Sequence, residues 1–358
     1  MIKGEREVVL QLVRKAFNPS CQIVKPEGIN WDSWDRALDL ANEQGVSALC
    51  LEAMELLPVG SIPQMQLLQW IGQSEIQRNQ YEQAWKVACK LDKMWAAEGI
   101  QATVLKGRAI SQYYNVPCHR YSCDLDVFIE HGWNRACEIL EKRGIQLEYE
   151  VYKEVEFTID NVYVECHRYI TPVRGNKHMQ AFERYLRGLL ESSRVQDAQD
   201  VQGRCFENTT LVCPPLMFTV MLYVEHALGD FLHGHLSLKH IVDWVVLRKQ
   251  KFDKDVFESR CKEFKFDRFL KLIDAFADVL EGKIEYNELS PAYKNAFDEV
   301  FLMPDVSEPR TWFRRRVDLF FDVVKNGKKF REYGYMSMPA FLFNSVWTHF
   351  FNKEVKLK

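Results

Sequence analysis

The sequence has no apolar run long enough to span a bilayer. Its longest one, residues 216–224, stops at Glu225 and is far shorter than the ~20 residues that a membrane helix needs. The first ten residues, MIKGEREVVL, carry charges where a signal peptide needs an apolar core. These two absences predict a cytoplasmic protein that does not enter the membrane.

The chain also lacks a CxxC pair, an internal repeat and a low-complexity linker. Without an export signal, its ten scattered cysteines favour free thiols. Cys118, His119 and Cys123 resemble part of a zinc site, but two further ligands at a suitable spacing are missing. Basic residues are not in excess, since 47 Lys/Arg stand against 50 Asp/Glu for a formal net charge of -3. This balance excludes a globally basic nucleic-acid binder.

The length and composition fit a globular protein. The 358 residues are 47% apolar and 27% charged, which suits two domains or one core with a large helical annex. In the first region, residues 1–98, apolar positions recur at helical spacing, most clearly between Leu67 and Trp95. Residues 99–175 read as a small α/β unit, and residues 176–358 return to helix. We therefore predict an α+β fold with a small mixed β-sheet core between helical regions.

The middle region contains four short strand patterns. Residues 100–105 form a buried strand pattern that ends at Lys106, and residues 124–129 alternate with period two. Two further strand patterns cover residues 155–159 and 162–167. The residues between them, Asp-Asn, are typical of a hairpin turn.

Two aspartates lie within the strand pattern at 124–129. Residues two apart on a strand point to one face, with Cα atoms roughly 6–7 Å apart, so Asp124 and Asp126 project together while Leu125 and Val127 face the core. Two ionised carboxylates side by side repel and need a cation, and such hard oxygen ligands suit Mg²⁺ or Mn²⁺. A solvent-facing polar edge is the alternative, but the apolar context of this pair favours a site.

Three neighbouring features strengthen this interpretation. Lys106 and Gly107 join a buried strand to a helix, where a close backbone approach and a point charge can hold a phosphate. Arg120, four residues before the first aspartate, could bind a phosphate or pair with an aspartate. Glu165, on a later strand, could supply a third carboxylate, and His167 shares its face. The corresponding alternatives are an ordinary turn, a structural ion pair and an isolated glutamate.

Three histidines recur every seven residues in the third region. On a single helix, His226, His233 and His240 would share a stripe that could bind a metal, but Gly229 and Gly234 are predicted to interrupt that helix. We expect these histidines to line a cleft that faces the α/β unit or to be packing residues. The pattern favours the cleft for His226 and packing for His233.

Taken together, these motifs resemble an uncharacterised nucleotidyltransferase family with the DNA polymerase β-type fold. The resemblance rests on an LKG turn at 105–107, an Arg before a D-x-D strand (DLDVFI at 124–129), and an acidic-x-His strand (VECHR at 164–168). It covers roughly residues 100–245. The family also has His-rich and Asp-containing helices, which implies that His226, Lys239 and Asp243 are candidate cleft residues. His167, from the acidic-x-His strand, is a further candidate for the cleft.

The resemblance implies a metal-dependent transfer of a nucleoside monophosphate from ATP or another NTP to an acceptor hydroxyl. Asp124 and Asp126 would bridge two Mg²⁺ or Mn²⁺ ions, and Glu165 would bind the ion nearer the acceptor. The residues implied to hold the phosphates are Lys106, Gly107 and Arg120. Such chemistry needs positioning and charge neutralisation more than covalent catalysis. The acceptor is not identified by the sequence.

The sequence departs from the family pattern at two places. Lys106-Gly107-Arg108 stands where the broader superfamily usually has Gly-Ser or Gly-Gly-Ser, and Glu165 stands where family strands often carry Asp. The altered phosphate turn supports an alternative hypothesis, a nucleotide-binding regulator without turnover, such as an antitoxin-like or partner-binding protein.

The end of the chain is locally basic. Residues 310–358 carry eleven Lys/Arg against four Asp/Glu, with aromatic residues between them. Such a segment could contact RNA. A solvated face around an apolar helix core is the favoured interpretation, so a nucleic-acid partner stays an open alternative that the sequence does not favour.

Overall fold

A computed structural model describes residues 4–23, 31–122, 124–150, 152–173, 176–195, 209–302, 321 and 323–342. Four helices open the chain, and the last of them is 33 residues long. Their bounds are α1 Gly4–Phe17, α2 Trp31–Glu43, α3 Ser47–Glu55 and α4 Gln64–Ala96. The α4 helix follows Pro63, which cannot continue a helix backwards, and ends before Gly99, whose φ of +71° is left-handed.

The α/β part follows directly. Its elements are β1 Ala102–Val104, α5 Lys106–Ser111, β2 Asp124–Ile129, α6 Trp133–Lys142, β3 Glu148–Glu150, β4 Glu154–Ile159 and β5 Val162–His167. The five strands form one mixed sheet in the order β1-β2-β5-β4-β3, in which β2 and β5 are parallel and the other pairs are antiparallel. The predicted α+β fold with a small mixed sheet is confirmed.

The hairpin between β4 and β5 has the predicted turn. Asp160 and Asn161 adopt φ angles of +50° and +62°, the left-handed pair of a type I′ turn. Short polar side chains tolerate this conformation better than branched ones. The turn therefore fixes the register that aligns β4 with β5.

Helices complete the molecule. They are α7 Lys177–Val195, α8 Leu216–His233, α9 Leu238–Leu247, α10 Lys254–Glu263, α11 Asp267–Leu280, α12 Pro291–Glu299 and α13 Gly327–Tyr333. The predicted interruption at Gly229 is wrong, because α8 runs through it without a break. Gly234, with φ at +81°, does end α8. Within the described ranges, no helix combines the length and the apolar character needed to cross a bilayer.

Two hydrophobic cores hold these elements. The first joins α1–α3 with α7–α12, and the second packs one face of the sheet against α6 and the C-terminal half of α4. Strand β2 contributes to both, because Leu125 and Val127 lie in the second core while Phe128 lies in the first. The face of β2 that carries the aspartates thus turns toward the helical body. The predicted domain boundaries after residues 98 and 175 stay predictions.

Most of the basic C-terminal segment lies outside the described residues, as does Cys123. Within the described part, Phe330 and Tyr333 are buried, in agreement with a packing role for these aromatics. Cysteines in the part of the chain that the structure describes are free thiols.

Candidate active site

Strand register brings acidic side chains together on one face of the sheet. The parallel pairing of β2 and β5 sets Asp126 opposite Glu165, and the antiparallel pairing of β4 and β5 sets Glu154 opposite His167. Because alternate residues share a face, the four side chains form one patch. Intervening residues such as Val127 point into the core on the other face.

A lysine ammonium lies between two of these carboxylates. Lys106 Nζ is 2.6 Å from Asp126 Oδ1 and 3.4 Å from Glu165 Oε2. The Lys106 backbone is left-handed, with φ at +37°, a conformation that costs a non-glycine residue roughly 1–2 kcal/mol. The neighbouring Leu105 N–H donates to the Asp126 carbonyl at 2.9 Å, which ties this turn to β2. The strained turn thus places a cation over the acidic patch.

His167 connects the same patch to β4. Its side chain is fully buried, with Nε2 at 2.9 Å from Asp126 Oδ1 and Nδ1 at 2.5 Å from Glu154 Oε2. Lys153 Nζ lies 2.9 Å from the same Glu154 oxygen. The imidazole therefore lies between two carboxylates, and His167 is not among the residues that line the cleft described below.

The two central carboxylates differ in their pKa. Burial raises the pKa of Glu165 to about 7, and the negative charges of Asp126 and Glu154 add to the rise against the opposing effect of Lys106. Burial acts on Asp126 in the same direction, but Lys106 and His167 outweigh it and hold the pKa of Asp126 well below its usual range. Near neutral pH, Asp126 is therefore ionised while Glu165 lies close to its titration point.

Oxygen and nitrogen atoms of Asp126, Glu165 and His167 lie within 4.8 Å of one another, close enough to surround one ion. Asp124 is not a member of this compact group. Its half-buried side chain accepts from Ser122 Oγ at 3.2 Å and lines the adjacent cleft beside Asp126. The expected three-carboxylate set is thus split into a close pair and a neighbour.

The turn at Gly107 works differently from the sequence-based expectation. The left-handed residue is Lys106, so glycine is not needed for a sharp turn. A Cβ atom on Gly107 would instead lie 2.2 Å from Ser122 Oγ and 3.1 Å from Arg120 Nη1. Gly107 is therefore required for close packing of α5 against the segment that leads into β2.

Arg120 has a buried partner that the sequence did not reveal. Its Nε and Nη2 donate to the two oxygens of Asp243 on α9, each at 2.9 Å, and Tyr114 donates to the same carboxylate at 2.6 Å. Burial lowers the pKa of Arg120, but the charge of Asp243 outweighs this effect and leaves it raised. Of the two predicted roles, the structure shows an ion pair, and its partner is Asp243 rather than an aspartate of β2.

A narrow cleft, with about 70 Å³ of space for water-sized groups, lies between the sheet and the helical body. One wall is formed by the turn at Lys106 and Gly107 together with Asp124 and Asp126, and the other wall is formed by α8 and α9. The opposite wall includes His226, Lys239, His240 and Asp243. Lys239 Nζ lies 6.0 Å from the Tyr121 ring centroid, and no carboxylate oxygen of a described residue is within 4.0 Å of it. His233 instead packs against Phe330 and Phe341, at ring-centroid distances of 5.7 and 5.5 Å.

Several contributors to the site were missed in the sequence. Glu154 precedes the buried positions Val155 and Phe157, so a strand prediction started one residue earlier would have placed it opposite His167. Asp230 follows His226 by four residues, which puts both on one helix face. No local pattern points to Lys153, which acts through its contact with Glu154.

The comparisons with known proteins support the family that the sequence resembles. A family model described as an uncharacterised nucleotidyltransferase matches residues 31–280, which run from α2 to the end of α11 and include the whole sheet and both walls of the cleft. Searches of curated proteins and of solved structures gave no match.

Proposed function

The chain belongs to the uncharacterised nucleotidyltransferase family, and we propose that it moves a nucleoside monophosphate from an NTP to an acceptor hydroxyl with the help of Mg²⁺ or Mn²⁺. One observation carries this proposal. Asp126 and Glu165 stand opposite each other on parallel neighbouring strands, beside a cleft that Asp124 also lines. An NTP in a cytoplasmic pool would be the co-substrate, as expected from the sequence.

The donor set fits a divalent ion. Asp124, Asp126 and Glu165 offer the carboxylate oxygens that Mg²⁺ and Mn²⁺ prefer, and the Lys106 ammonium already occupies a position between two of them as a cationic stand-in. When bound, the metal would neutralise the triphosphate and the leaving pyrophosphate.

The chain's own cations would place the nucleotide. Lys106 lies beside the aspartates, and Lys239 lines the opposite wall, so both can contact phosphate oxygens. Gly107 lets α5 pack closely against the segment that leads into β2. Arg120 is assigned a positioning role instead of phosphate binding, because its ion pair with Asp243 joins the segment before β2 to α9.

The proposed transfer needs no covalent enzyme intermediate. The acceptor oxygen attacks the α-phosphorus, pyrophosphate leaves, and the product is a nucleoside monophosphate ester. Rigid strands hold the carboxylates, and the walls of the cleft orient the two substrates, which is the main contribution that an enzyme makes to this chemistry.

A pyrophosphate-release assay tests the proposal. The full chain is supplied with Mg²⁺ or Mn²⁺, each of the four NTPs in turn, and acceptor probes of three kinds: small polyols, an RNA oligonucleotide, and a peptide with Ser, Thr and Tyr. We expect Asp126→Asn to lower the rate by at least about 100-fold. Asp255→Asn, an exposed change on α10 with the same chemistry, should leave the rate unchanged. Equal rates for Asp126→Asn and the unaltered protein would refute the metal assignment.

One observation favours a second function, a nucleotide-binding regulator without turnover. Lys106 contacts both Asp126 and Glu165, so part of the negative charge that a metal ion would neutralise is already compensated. This alternative predicts equal NTP affinity in Mg²⁺ and in EDTA by calorimetry, with no pyrophosphate released. The transfer proposal predicts tighter NTP binding with the metal.

A further inference from the structure

A second cluster of titratable side chains lies on the wall of the cleft opposite the acidic patch. His226 Nδ1 and His240 Nε2 each lie 3.1 Å from the same oxygen, Oδ2, of Asp230. The two imidazole rings are 6.4 Å apart between centroids. His226 and Asp230 come from successive turns of α8, and His240 comes from the first turn of α9.

The hydrogen bonds of His240 fix which of its nitrogens carries the proton. The backbone N–H of Ser237 donates to His240 Nδ1 at 3.0 Å, as part of the capping box that begins α9. An N–H donor requires a lone pair on Nδ1, so the ring proton of neutral His240 is on Nε2 and is directed at Asp230. Burial lowers the pKa of His240, which favours this neutral form.

This tautomer argues against a metal at the cluster. Although the three ligand atoms are close enough to share an ion, His240 Nε2 has no lone pair to offer while the Ser237 bond is present. The cluster is better described as a carboxylate that receives two imidazole N–H groups. Burial opposes ionisation of Asp230, but His226 and His240 outweigh it and hold its pKa well below the usual range.

His226 differs from His240 in its exposure to the cleft. Its side chain is 39% exposed and lines the cleft, whereas that of His240 is 14% exposed. With Nδ1 next to the Asp230 carboxylate, the nitrogen left to the cleft is Nε2. An imidazole oriented by a carboxylate through Nδ1–H presents a basic Nε2, which is the arrangement of a general base.

We propose that His226, oriented by Asp230, is the proton acceptor for the attacking hydroxyl. This inference rests on the proposed nucleotidyl transfer. The new bond joins the acceptor oxygen to the α-phosphorus, and the bond from that phosphorus to the bridging oxygen breaks to release pyrophosphate. The hydroxyl proton moves to His226 Nε2, and the resulting imidazolium is stabilised by Asp230 until the proton passes to water.

The charged groups around His226 come from three sides. On α8 they are Asp230 and Glu225, and on α9 they are His240 and Lys239. Across the cleft, the acidic patch with Lys106 faces the same space. A change of charge at any of these groups would shift the pH dependence, so the test varies His226 and Asp230 while the others are kept.

The first measurement is the tautomer of His226, which needs no turnover. Two-bond ¹H–¹⁵N correlation spectra of protein labelled at histidine nitrogens identify the protonated nitrogen of each neutral ring. We expect His226 in the Nδ1–H form and His240 in the Nε2–H form, and we expect Asp230→Asn to shift His226 toward Nε2–H. A His226 ring that is Nε2–H in the unaltered protein would overturn the proposal.

The second measurement is the pH profile of pyrophosphate release with NTP, Mg²⁺ and glycerol or water as the acceptor probe. We expect His226→Gln to lower kcat about 100-fold, at the low end of general-base contributions, with little change in KM for the NTP. The fall in rate on acidification should be smaller in this variant than in the unaltered protein, with protonation of Glu165 accounting for the part that remains, and Asp230→Asn should lower kcat to a smaller extent. His235→Gln, which changes an exposed histidine just beyond α8, is the matched control and should keep the whole profile.

The outcomes separate this proposal from the one on which it rests. If His226→Gln keeps the rate and profile of the unaltered protein while Asp126→Asn is inactive, nucleotidyl transfer stands and the proton acceptor is another group. If the unaltered protein releases no pyrophosphate with any NTP and probe, transfer fails, and the catalytic role of His226 fails with it even where the tautomer is as expected.

Discussion

At the scale of single residues, the site depends on two carboxylates that meet in register and respond differently to burial. Asp126 contacts both Lys106 and His167, so its charge is compensated. Glu165 lies at a longer distance from the same ammonium and also next to Asp126, so its ionised form is disfavoured. Charge balance around Glu165 is therefore incomplete without an added cation, and this makes its behaviour measurable.

Glu165 predicts a pH dependence of stability. Its pKa is raised from 4.5 to about 7 in the folded protein, so between these values the folded state binds more protons than the unfolded chain. The free energy of unfolding then falls as the pH rises through this window, and the contribution is complete only below pH 4.5. Over this window we expect the free energy of unfolding of the unaltered protein to fall by an amount on the order of 1–3 kcal/mol, and we expect this fall to be absent in Glu165→Gln. Urea titration without metal measures both proteins.

Two control measurements make the Glu165 test specific. Glu258→Gln, an exposed change on α10, should reproduce the pH dependence of the unaltered protein. Mg²⁺ should stabilise the unaltered protein near pH 7.5 more than Glu165→Gln, since the ion favours the ionised carboxylate. Parallel pH curves for Glu165→Gln and the unaltered protein would contradict the assigned burial effect.

At the scale of elements, α5 depends on a close contact with the segment before β2. We expect Gly107→Ala to destabilise the protein by about 1–3 kcal/mol, because its Cβ would overlap Ser122 Oγ. When Ser122 is already replaced by Ala, Gly107→Ala should lower the free energy of unfolding by a smaller amount. A double-mutant cycle by thermal or urea unfolding measures this difference.

Gly72→Ala provides the matched control for the glycine test. Gly72 lies within α4, and nothing is within 4 Å of the position its Cβ would take, so alanine should be neutral or stabilising there. If Gly107→Ala behaves like Gly72→Ala, close packing is not the reason for glycine at the turn.

Local patterns predict local parts of this site well. The D-x-D strand and the Asp-Asn hairpin were readable because alternation and turn chemistry act over a few residues. The α3 helix has no amphipathic stripe that marks its own bounds in the sequence, because nearly all of it is buried. The short β3 was not predicted, and no physical reason for the miss is evident in its sequence.

Contacts between distant segments could not be read from one sequence. Arg120 and Asp243 are 123 residues apart, and nothing near either of them specifies the other. The sequence did suggest Glu165 as a partner for the aspartates, but only strand order and register set it opposite Asp126. Sequence patterns thus supplied candidate side chains, and the packing of distant elements decided their roles.

At the scale of the whole molecule, the cleft exists because the sheet and the helical body meet along β2, α5, α8 and α9. The buried pair of Arg120 and Asp243 joins the two sides of this contact. We expect Arg120→Met to destabilise the protein by about 3–5 kcal/mol, because it leaves a buried carboxylate without its partner. Urea unfolding measures this effect.

The double variant Arg120→Met/Asp243→Asn distinguishes an unpaired charge from lost packing. Removing the charge of Asp243 should recover part of the stability that Arg120→Met loses. Arg135→Met, which breaks an exposed ion pair with Glu98, should change stability little. An equal loss in the single and double variants would contradict the account of Arg120 as a charge-compensating link.

The central claim is that the acidic patch of the sheet binds the metal of a metal–nucleotide complex. The most direct measurement is an anomalous difference map from crystals of the full chain grown with Mn²⁺ and an α,β-non-hydrolysable NTP. The account predicts manganese peaks among Asp124, Asp126 and Glu165, with the triphosphate in the adjoining cleft. Manganese bound elsewhere, or nucleotide bound with Lys106 still between the two carboxylates and no metal beside them, would contradict it.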